Sequence, residues 1–521
     1  MIPHDHVHVR LAIEDPSLIM ELKEYFSFYV PNHKWHPKVR KKLWDGKISF
    51  FDIRSHLLYI GLIPDLISFC KERHYRLIPI EGKENLLNTF IDIHDDRPSE
   101  YDVKILDEMI PKKFPPRDYQ MNSVIEIIKR RKTIIQSATG SGKSFVIYLA
   151  ALWYYHHTQG EKKILIVVPT TTLVSQMKTD ILDYANGDEM IDESFIHEIY
   201  SGKEKHDISA PIIVSTFQSI TKLPKEWYRD IGMLVIDECH RSTAISIKNI
   251  AEKASNAEYR IGTTGTLPER DKNGERANEI TIKGIFGSVY KASSTSELQK
   301  KHELADLKIE CIVLEHQGVD EKTLYGDGKL QGQVKYQNEV NYIIGHEKRN
   351  HFITDLAIAQ ANDQKRNVLI LFHNIDKHGK ILFQMINDKN FDPTKVHYIS
   401  GETPTDEREI IRQNVDHESN GGHIITASSA TFATGINIKN LHSIIFAVSF
   451  KSQIRVIQSI GRGLRLSDDG RETLLFDICD DLFPQRKSIA NKNYFMKHAK
   501  ERLSYYTNEQ FKYKIRQINN F

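Results

Sequence analysis

The sequence predicts an α/β protein with two tandem parallel-sheet domains. A small mixed α/β domain precedes them and a short helical extension follows. Three observations predict this. From about Lys112, short apolar β-branched runs alternate with segments of helical length, the signature of parallel sheets covered on both faces. The pattern is laid down twice and restarts near His346. A glycine-rich phosphate-loop motif follows the first strand of the first repeat and has no counterpart in the second. A chain of 521 residues, 40% hydrophobic and 27% charged, is globular by composition and too long for one core.

Residues 1–80 read as the small domain. Val7–Ile13 alternates like a strand, and Pro16–Phe26 reads as a helix with Asp15 as its cap and Pro16 in its first position. Lys47–Phe51 and Leu57–Ile60 read as a strand pair, and Pro64–Arg73 as a second helix. Residues 81–110 carry nine acidic and three basic residues, so 81–111 reads as an acidic linker. The first large domain, 112–295, has strand candidates Thr133–Gln136, Ile164–Val168, Pro211–Ser215, Met233–Ile236 and Tyr259–Gly262. Its polar segment 267–280 reads as a mobile loop. Residues 296–345 read as a connecting segment. The second large domain, 346–485, has candidates Val368–Phe372, Val396–Ile399, His423–Ala427, Ser443–Ala447 and Thr473–Phe476. The extension, 486–521, carries nine Lys/Arg against two Asp/Glu. Its aromatics Tyr494, Phe495, Tyr505, Tyr506 and Phe511 are expected to pack on the second domain, with the lysines left for nucleic acid.

Bulk composition excludes more than it identifies. A net charge of +2 names no partner. Cys70, Cys239, Cys311 and Cys479 lie far apart, which argues against a zinc site or disulfide framework and for a reducing cytoplasm. The start, with His4, Asp5, His6 and His8, lacks the basic and apolar regions of a signal peptide. No run approaches the ~18 apolar residues of a membrane span.

Three motifs carry the chemistry. In Ser137-Ala138-Thr139-Gly140-Ser141-Gly142-Lys143-Ser144, small residues let backbone N–H groups close around phosphates, and the following helix adds its positive end. Thr139, Gly140, Ser141 and Gly142 form this cradle. Lys143 would reach the β- and γ-phosphates, and Ser144 would hold Mg²⁺. Ser137 stands where the usual motif has its first glycine. Asp237-Glu238-Cys239-His240 follows the apolar strand Met233–Ile236. Asp237 suits the metal and Glu238 the attacking water. In Gln458-Ser459-Ile460-Gly461-Arg462-Gly463-Leu464-Arg465, two arginines three residues apart share a helix face, and their fixed charge suits a γ-phosphate.

Taken in this order, the motifs resemble those of a superfamily 2 helicase of the DExH type. Arg117-Asp118-Tyr119-Gln120 resembles the adenine-recognising element, which assigns Arg117 and Gln120 to the nucleotide. Pro169–Gln176 and Ser215–Gln218 resemble strand-gripping motifs, and Gly262–Thr266 the motif that couples hydrolysis to movement. Ser400-Gly401-Glu402 and Ala433-Thr434-Gly435-Ile436-Asn437 resemble second-domain motifs, although the family often has Asp at the position of Asn437. The resemblance implies two RecA-like domains, with ATP and Mg²⁺ as cofactors. It adds His240 and Gln458 to the catalytic group, Gly435 to the nucleotide site, and Thr170, Thr171, Gln176, Thr216, Gln218, Ser400 and Gly401 to the nucleic-acid track.

Outside these motifs, Leu43-Trp44-Asp45-Gly46-Lys47-Ile48, Leu223–Trp227, Lys348-Arg349-Asn350 and Lys377-His378-Gly379-Lys380 are similar to the UvsW family of phage recombination helicases. That similarity implies a 3′-to-5′ DNA helicase of a host's cytoplasm. Its substrates would be forks, D-loops and Holliday junctions built of single- and double-stranded DNA, with some activity on RNA–DNA hybrids, no membrane partner, and a monomeric state. Lys38, Arg40, Lys41, Lys42 and Lys47 crowd around Trp44, which suits a backbone groove with stacking; equally, Trp44 would anchor a small core. Two other readings stay open: a different translocase or RNA helicase on the same engine, of XPB-like or restriction type, and an annealing protein with a vestigial ATPase. Intact Lys143, Glu238, Arg462 and Arg465 argue against the last.

Overall fold

Asp15 and Pro16 start the first helix as their chemistry requires. The Asp15 carboxylate accepts the Ser17 N–H at 2.8 Å, and the helix runs Pro16–Tyr25. The computed structural model describes residues 1–521 except 31–32, 79–98, 186–189, 201–208, 241–243, 268–276, 327–331, 374–377, 390, 418–420, 430, 432–437, 465–466, 468 and 520. It divides into two compact units, Met1–Ala138 with Gly142–Ser293, and Thr139–Ser141 with Ser294–Phe521.

In the small domain, β1 (Ile2–Pro3), β2 (His8–Arg10) and β5 (Leu57–Tyr59) form one antiparallel sheet, and β3 (Ser27–Tyr29) pairs with β4 (Lys47–Ser49) in another. The expected pairing of Lys47–Phe51 with Leu57–Ile60 is therefore corrected: the two share only the bridge Phe51–Leu58. The cause is Asp52, whose Oδ1 accepts N–H groups of Arg54 and Ser55. This turn sends the flanking strands into different sheets.

The first large sheet holds β6 (Lys132–Ser137), β7 (Lys163–Val168), β8 (Ile196–Ile199), β9 (Ile212–Thr216), β10 (Ile231–Ile236), β11 (Tyr259–Thr264) and β12 (Ser288–Ser293), in the order β12-β6-β11-β10-β7-β9-β8. All its pairings are parallel. Covered on both faces, β9 and β10 are buried throughout, as is β7 beyond Lys163, which is why they read as unbroken apolar runs. One face packs on helix Lys143–His157, buried along most of its length, Trp153 included. The other face shares a continuous core with the small domain, through Val9, Leu22, Phe26 and Phe69. Tyr59 donates its hydroxyl to Glu252 at 2.5 Å. Gly61 lies so close to helix Ala277–Phe286 that a Cβ would stand 2.0 Å from the Lys283 carbonyl oxygen. Part of the segment read as a linker is the helix Glu100–Met109, whose Asp102 accepts the Trp153 indole N–H at 3.2 Å. Of the polar segment 267–280, residues 268–276 lie outside the described residues and Ala277 begins a helix.

The second unit holds a second all-parallel sheet of seven strands: β13 (Leu307–Glu315), β14 (Val368–Phe372), β15 (Val396–Ile399), β16 (Ile424–Ser428), β17 (Ser443–Phe446), β18 (Thr473–Asp481) and β19 (Lys512–Ile518), ordered β15-β16-β14-β17-β18-β13-β19. Two strands differ from expectation. β13 falls in the segment read as a connection and pairs with β18 over its whole length. The extension supplies helix Tyr494–Asn508 and then the edge strand β19, whose charged side chains leave it mostly exposed. Phe495, Tyr506 and Phe511 are buried. Arg502 of that helix is fully buried; its Nε donates to Asp477 Oδ2 at 2.8 Å and its Nη2 is ion-paired with Oδ1. It also donates to the Phe450 carbonyl at 3.0 Å, so the helix is fastened to β18 and to the segment after β17.

Candidate nucleotide site and nucleic-acid contacts

Parallel strands deliver their carboxyl ends to one edge of a sheet. The first sheet thus gathers the phosphate loop after β6, Thr170 after β7, Thr216 at the end of β9, Asp237 after β10 and Thr264 at the end of β11. Gly140 and Gly142 take φ of +84° and +78°, which a side chain would strain. At Gly142 a Cβ would also meet Gln120 Nε2 at 2.5 Å. Gln120 is buried and accepts the Arg117 N–H at 2.9 Å, while Arg117 donates to the Tyr119 hydroxyl at 3.0 Å. The two residues expected to recognise adenine are therefore joined to each other and, through Gln120, to the loop.

Lys143 opens the helix and donates to the carbonyls of Ser137 and Ala138, both at 3.3 Å. Ser144 Oγ lies 3.0 Å from the Tyr184 hydroxyl. Asp237 is half-buried; desolvation and the adjacent Glu238 push its carboxyl above the usual range, and the Lys143 ammonium opposes them. Its Oδ1 accepts both the Thr263 hydroxyl at 2.6 Å and the Glu238 N–H at 2.9 Å. Glu238 adopts φ of +48°, a left-handed conformation that a non-glycine residue holds at a cost. His240 Nδ1 lies 2.6 Å from Thr264 Oγ1 and 3.3 Å from Glu238 Oε2. Thr263 and Thr264 are the residues that sequence reasoning left off the site. Threonine inside a β-branched strand reads as a strand former, so only the motif Gly262–Thr266 hinted at more.

A nucleotide with its cation fits this donor set. A half-buried carboxyl raised by its surroundings, beside a lysine that donates to two carbonyls at 3.3 Å, suits added positive and negative charge together.

Of the remaining expected residues, Thr170 caps helix Thr171–Tyr184, with Thr171 exposed and Gln176 half-buried on it. Thr216 is buried, 2.9 Å from Ser219 Oγ, and Gln218 is exposed. In the second unit Ser400 is buried and Gly401 exposed, and Arg408 donates to both their carbonyls. Gln458 and Arg462 fall on helix Gln453–Gly463, of which the backbone is described at those positions. Gly435 and Arg465 lie outside the described residues. In the small domain Lys41 and Lys42 are exposed, and Lys47 Nζ sits 5.0 Å over the Tyr29 ring. Trp44 is half-buried and donates its indole N–H to the Lys47 carbonyl at 2.8 Å, so it pins the loop. Among the exposed aromatics of this domain Trp35 is the most open, at 77%, with Leu43 at 75%. Both sit beside the basic helix Pro37–Arg40.

Three family models match: the N-terminal domain of DNA helicase UvsW over residues 1–79, the res subunit of type III restriction enzymes over 113–269, and the helicase conserved C-terminal domain over 348–467. The ATP-dependent DNA helicase UvsW of enterobacteria phage T4 is 34% identical, with 99% of this chain and 98% of that protein aligned. The chain belongs to the UvsW helicase family. It is accordingly an ATP-hydrolysing helicase built on two RecA-like domains. The crystal structure of T4 UvsW aligns over 99% of this chain and 98% of its own, at 33% identity and a TM-score of 0.47. A fragment of a type I restriction HsdR subunit from Vibrio vulnificus YJ016 shares the fold, with 20% identity, a TM-score of 0.52, and 73% of this chain and 66% of that one covered. Among the described residues, no helix is long and apolar enough to cross a membrane.

Proposed function

We propose that this UvsW-family chain is a DNA helicase that moves 3′ to 5′ and remodels forks, D-loops and Holliday junctions in recombination, repair and replication, in the cytoplasm of its host. The observation that carries the reading is the small domain. It holds exposed cations beside an exposed tryptophan, and it shares one core with the motor domain that bears Lys143 and Glu238. In this reading Lys143 orients the phosphates, and Ser144 and Asp237 would hold Mg²⁺, which when bound neutralises phosphate charge. Glu238 takes the proton from the attacking water, and His240 holds Glu238 in register with Thr264. Thr170, Thr171, Thr216 and Ser400 contact phosphates without reading sequence.

The test is ATP-dependent processing of forks, Holliday junctions, D-loops and RNA–DNA duplexes with each strand labelled in turn, using the full chain and the Lys41→Glu/Lys42→Glu variant. The variant is expected to lose junction affinity and to show a shallower salt dependence, by about 0.9 in log–log slope for each duplex phosphate contact removed. Its ATPase on single-stranded DNA should persist. Equal slopes and affinities would make the patch a solvated face, and 5′-to-3′ displacement would overturn the polarity. For Arg465, expected to meet the transferred phosphate with positive charge, Arg465→Ala should cut turnover by about 10³-fold with nucleotide affinity retained. Unchanged turnover at saturating DNA would remove Arg465 from the catalytic group.

A further inference from the structure

Residues 486–497 carry a charge arrangement that the motor chemistry does not use. A cleft of about 480 Å³ lies where the short helix Glu321–Tyr325 and helix Gly332–Ile344 meet the segment leading into helix Tyr494–Asn508. Lys335, Arg486, Lys492 and Lys497 line it beside Tyr325 and Tyr494. Its carboxylates are engaged. Glu339 is fully buried and accepts the Tyr325 hydroxyl, the Tyr494 N–H at 2.8 Å and the Phe495 N–H at 3.3 Å. Glu321 is ion-paired with Arg486, and Lys492 with Asp481 at 2.5 Å. Two cations remain. Lys335 Nζ stands 5.4 Å from the Tyr325 ring centre and Lys497 Nζ 5.2 Å from that of Tyr494. Neither has a salt-bridge carboxylate among the described residues. Exposed Lys500 follows Lys497 by three residues, the spacing that shares a helix face. The wall is close-packed, since a Cβ at Gly332 would stand 2.8 Å from the Tyr494 hydroxyl.

We propose that this cleft holds the backbone of a single nucleic-acid strand, with Lys335 and Lys497 on phosphates and the half-buried Tyr494 against a sugar or base, while buried Tyr325 backs Lys335. A lysine paired with an aromatic face, occurring twice, suits a repeating polymer gripped without sequence preference. Lysine is a point charge rather than a planar fork, which fits phosphates presented at varying angles. A lone nucleotide fits worse. Its phosphates would seek the free N–H groups at the start of helix Tyr494–Asn508, and Glu339 already occupies those of Tyr494 and Phe495.

The inference rests on the helicase reading, and one experiment separates the two. Binding of a labelled oligo-dT strand is measured across a salt series with the full chain, with Lys335→Gln/Lys497→Gln and with Lys335→Arg/Lys497→Arg. Fluorescent ATP-analogue binding and melting temperature are followed alongside. Losing two phosphate contacts should flatten the log–log slope by about 1.4. The Gln variant should bind oligo-dT at least several-fold more weakly at low salt, with ATP affinity unchanged, and the Arg variant should keep the wild-type slope. A wild-type chain that binds no oligo-dT would overturn the helicase reading itself. Wild-type binding with equal slopes in the Gln variant would overturn only the cleft. Loss of ATP affinity in place of strand affinity would make it a nucleotide site, and equal loss in the Arg variant would make the lysines structural; either also overturns it.

Discussion

Lys143→Ala is expected to abolish nucleic-acid-stimulated ATP hydrolysis, and Glu238→Gln to retain nucleotide binding while stopping turnover. The two differ because the residues meet different partners. Lys143 opens the helix after the phosphate loop and, among the described residues, donates to the Ser137 and Ala138 carbonyls at 3.3 Å, so its charge is available to exchange those contacts for phosphate. Without it, binding and orientation are lost together. Glu238 stands beyond the strand end, held in a left-handed turn whose N–H is fixed on Asp237 and whose carboxylate is 3.3 Å from His240. Glutamine keeps that shape and loses the base, for an expected loss of about 10²-fold or more. Phosphate release at saturating single-stranded DNA, with nucleotide affinity measured separately, distinguishes them. Wild-type turnover in either variant would remove that residue from the site.

Arg502→Ala is expected to cost about 3–5 kcal/mol of stability, because it leaves the Asp477 carboxylate buried without its partner. The guanidinium donates to Asp477 Oδ2, is ion-paired with Oδ1 and also donates to the Phe450 carbonyl. Tyr506, which donates to the same carboxylate at 2.9 Å, would be loosened too. Urea or thermal melts report the loss. The double variant Arg502→Leu/Asp477→Asn should recover part of it, since removing both charges removes the uncompensated one. A melt unmoved by Arg502→Ala would mean that the extension is held by its apolar face alone.

How much could be read in the sequence depended on whether a residue's role is local. β14 and β15 have the bounds their apolar runs predict, and β10 ends where its two carboxylates begin, because burial on both faces leaves no other pattern. Lys143, Asp237 and Glu238 stood out because glycines and acids at strand ends have few structural uses. Thr263 and Thr264 did not, since β-branching alone explains them there. β13 and β19 were missed for another reason. Lys308 and Glu310 interrupt the first, the second is exposed except at Ile518, and their pairing spans some 200 residues of chain, for example Lys308 with Lys512. Trp35 and Trp44 are indistinguishable by composition; only the fold turns one outward and hydrogen-bonds the other.

The close approach of Gly61 to helix Ala277–Phe286 has a bearing on how the chain could be altered. The helix answers with Gly284, where a Cβ would come within 3.2 Å of Tyr59. Gly61 leaves no room for a side chain, and Gly284 only as much as Tyr59 can yield. The small domain is therefore a fitted part of the first motor rather than a passenger on a tether. A cut near residue 80 would leave apolar surface bare, so charge reversals at its rim report on DNA more cleanly than truncation. Whatever the small domain grips would be carried through the same displacement as Asp237. Grafting it onto another engine would require rewriting both glycine faces, so the small domain and its motor are expected to change together or not at all.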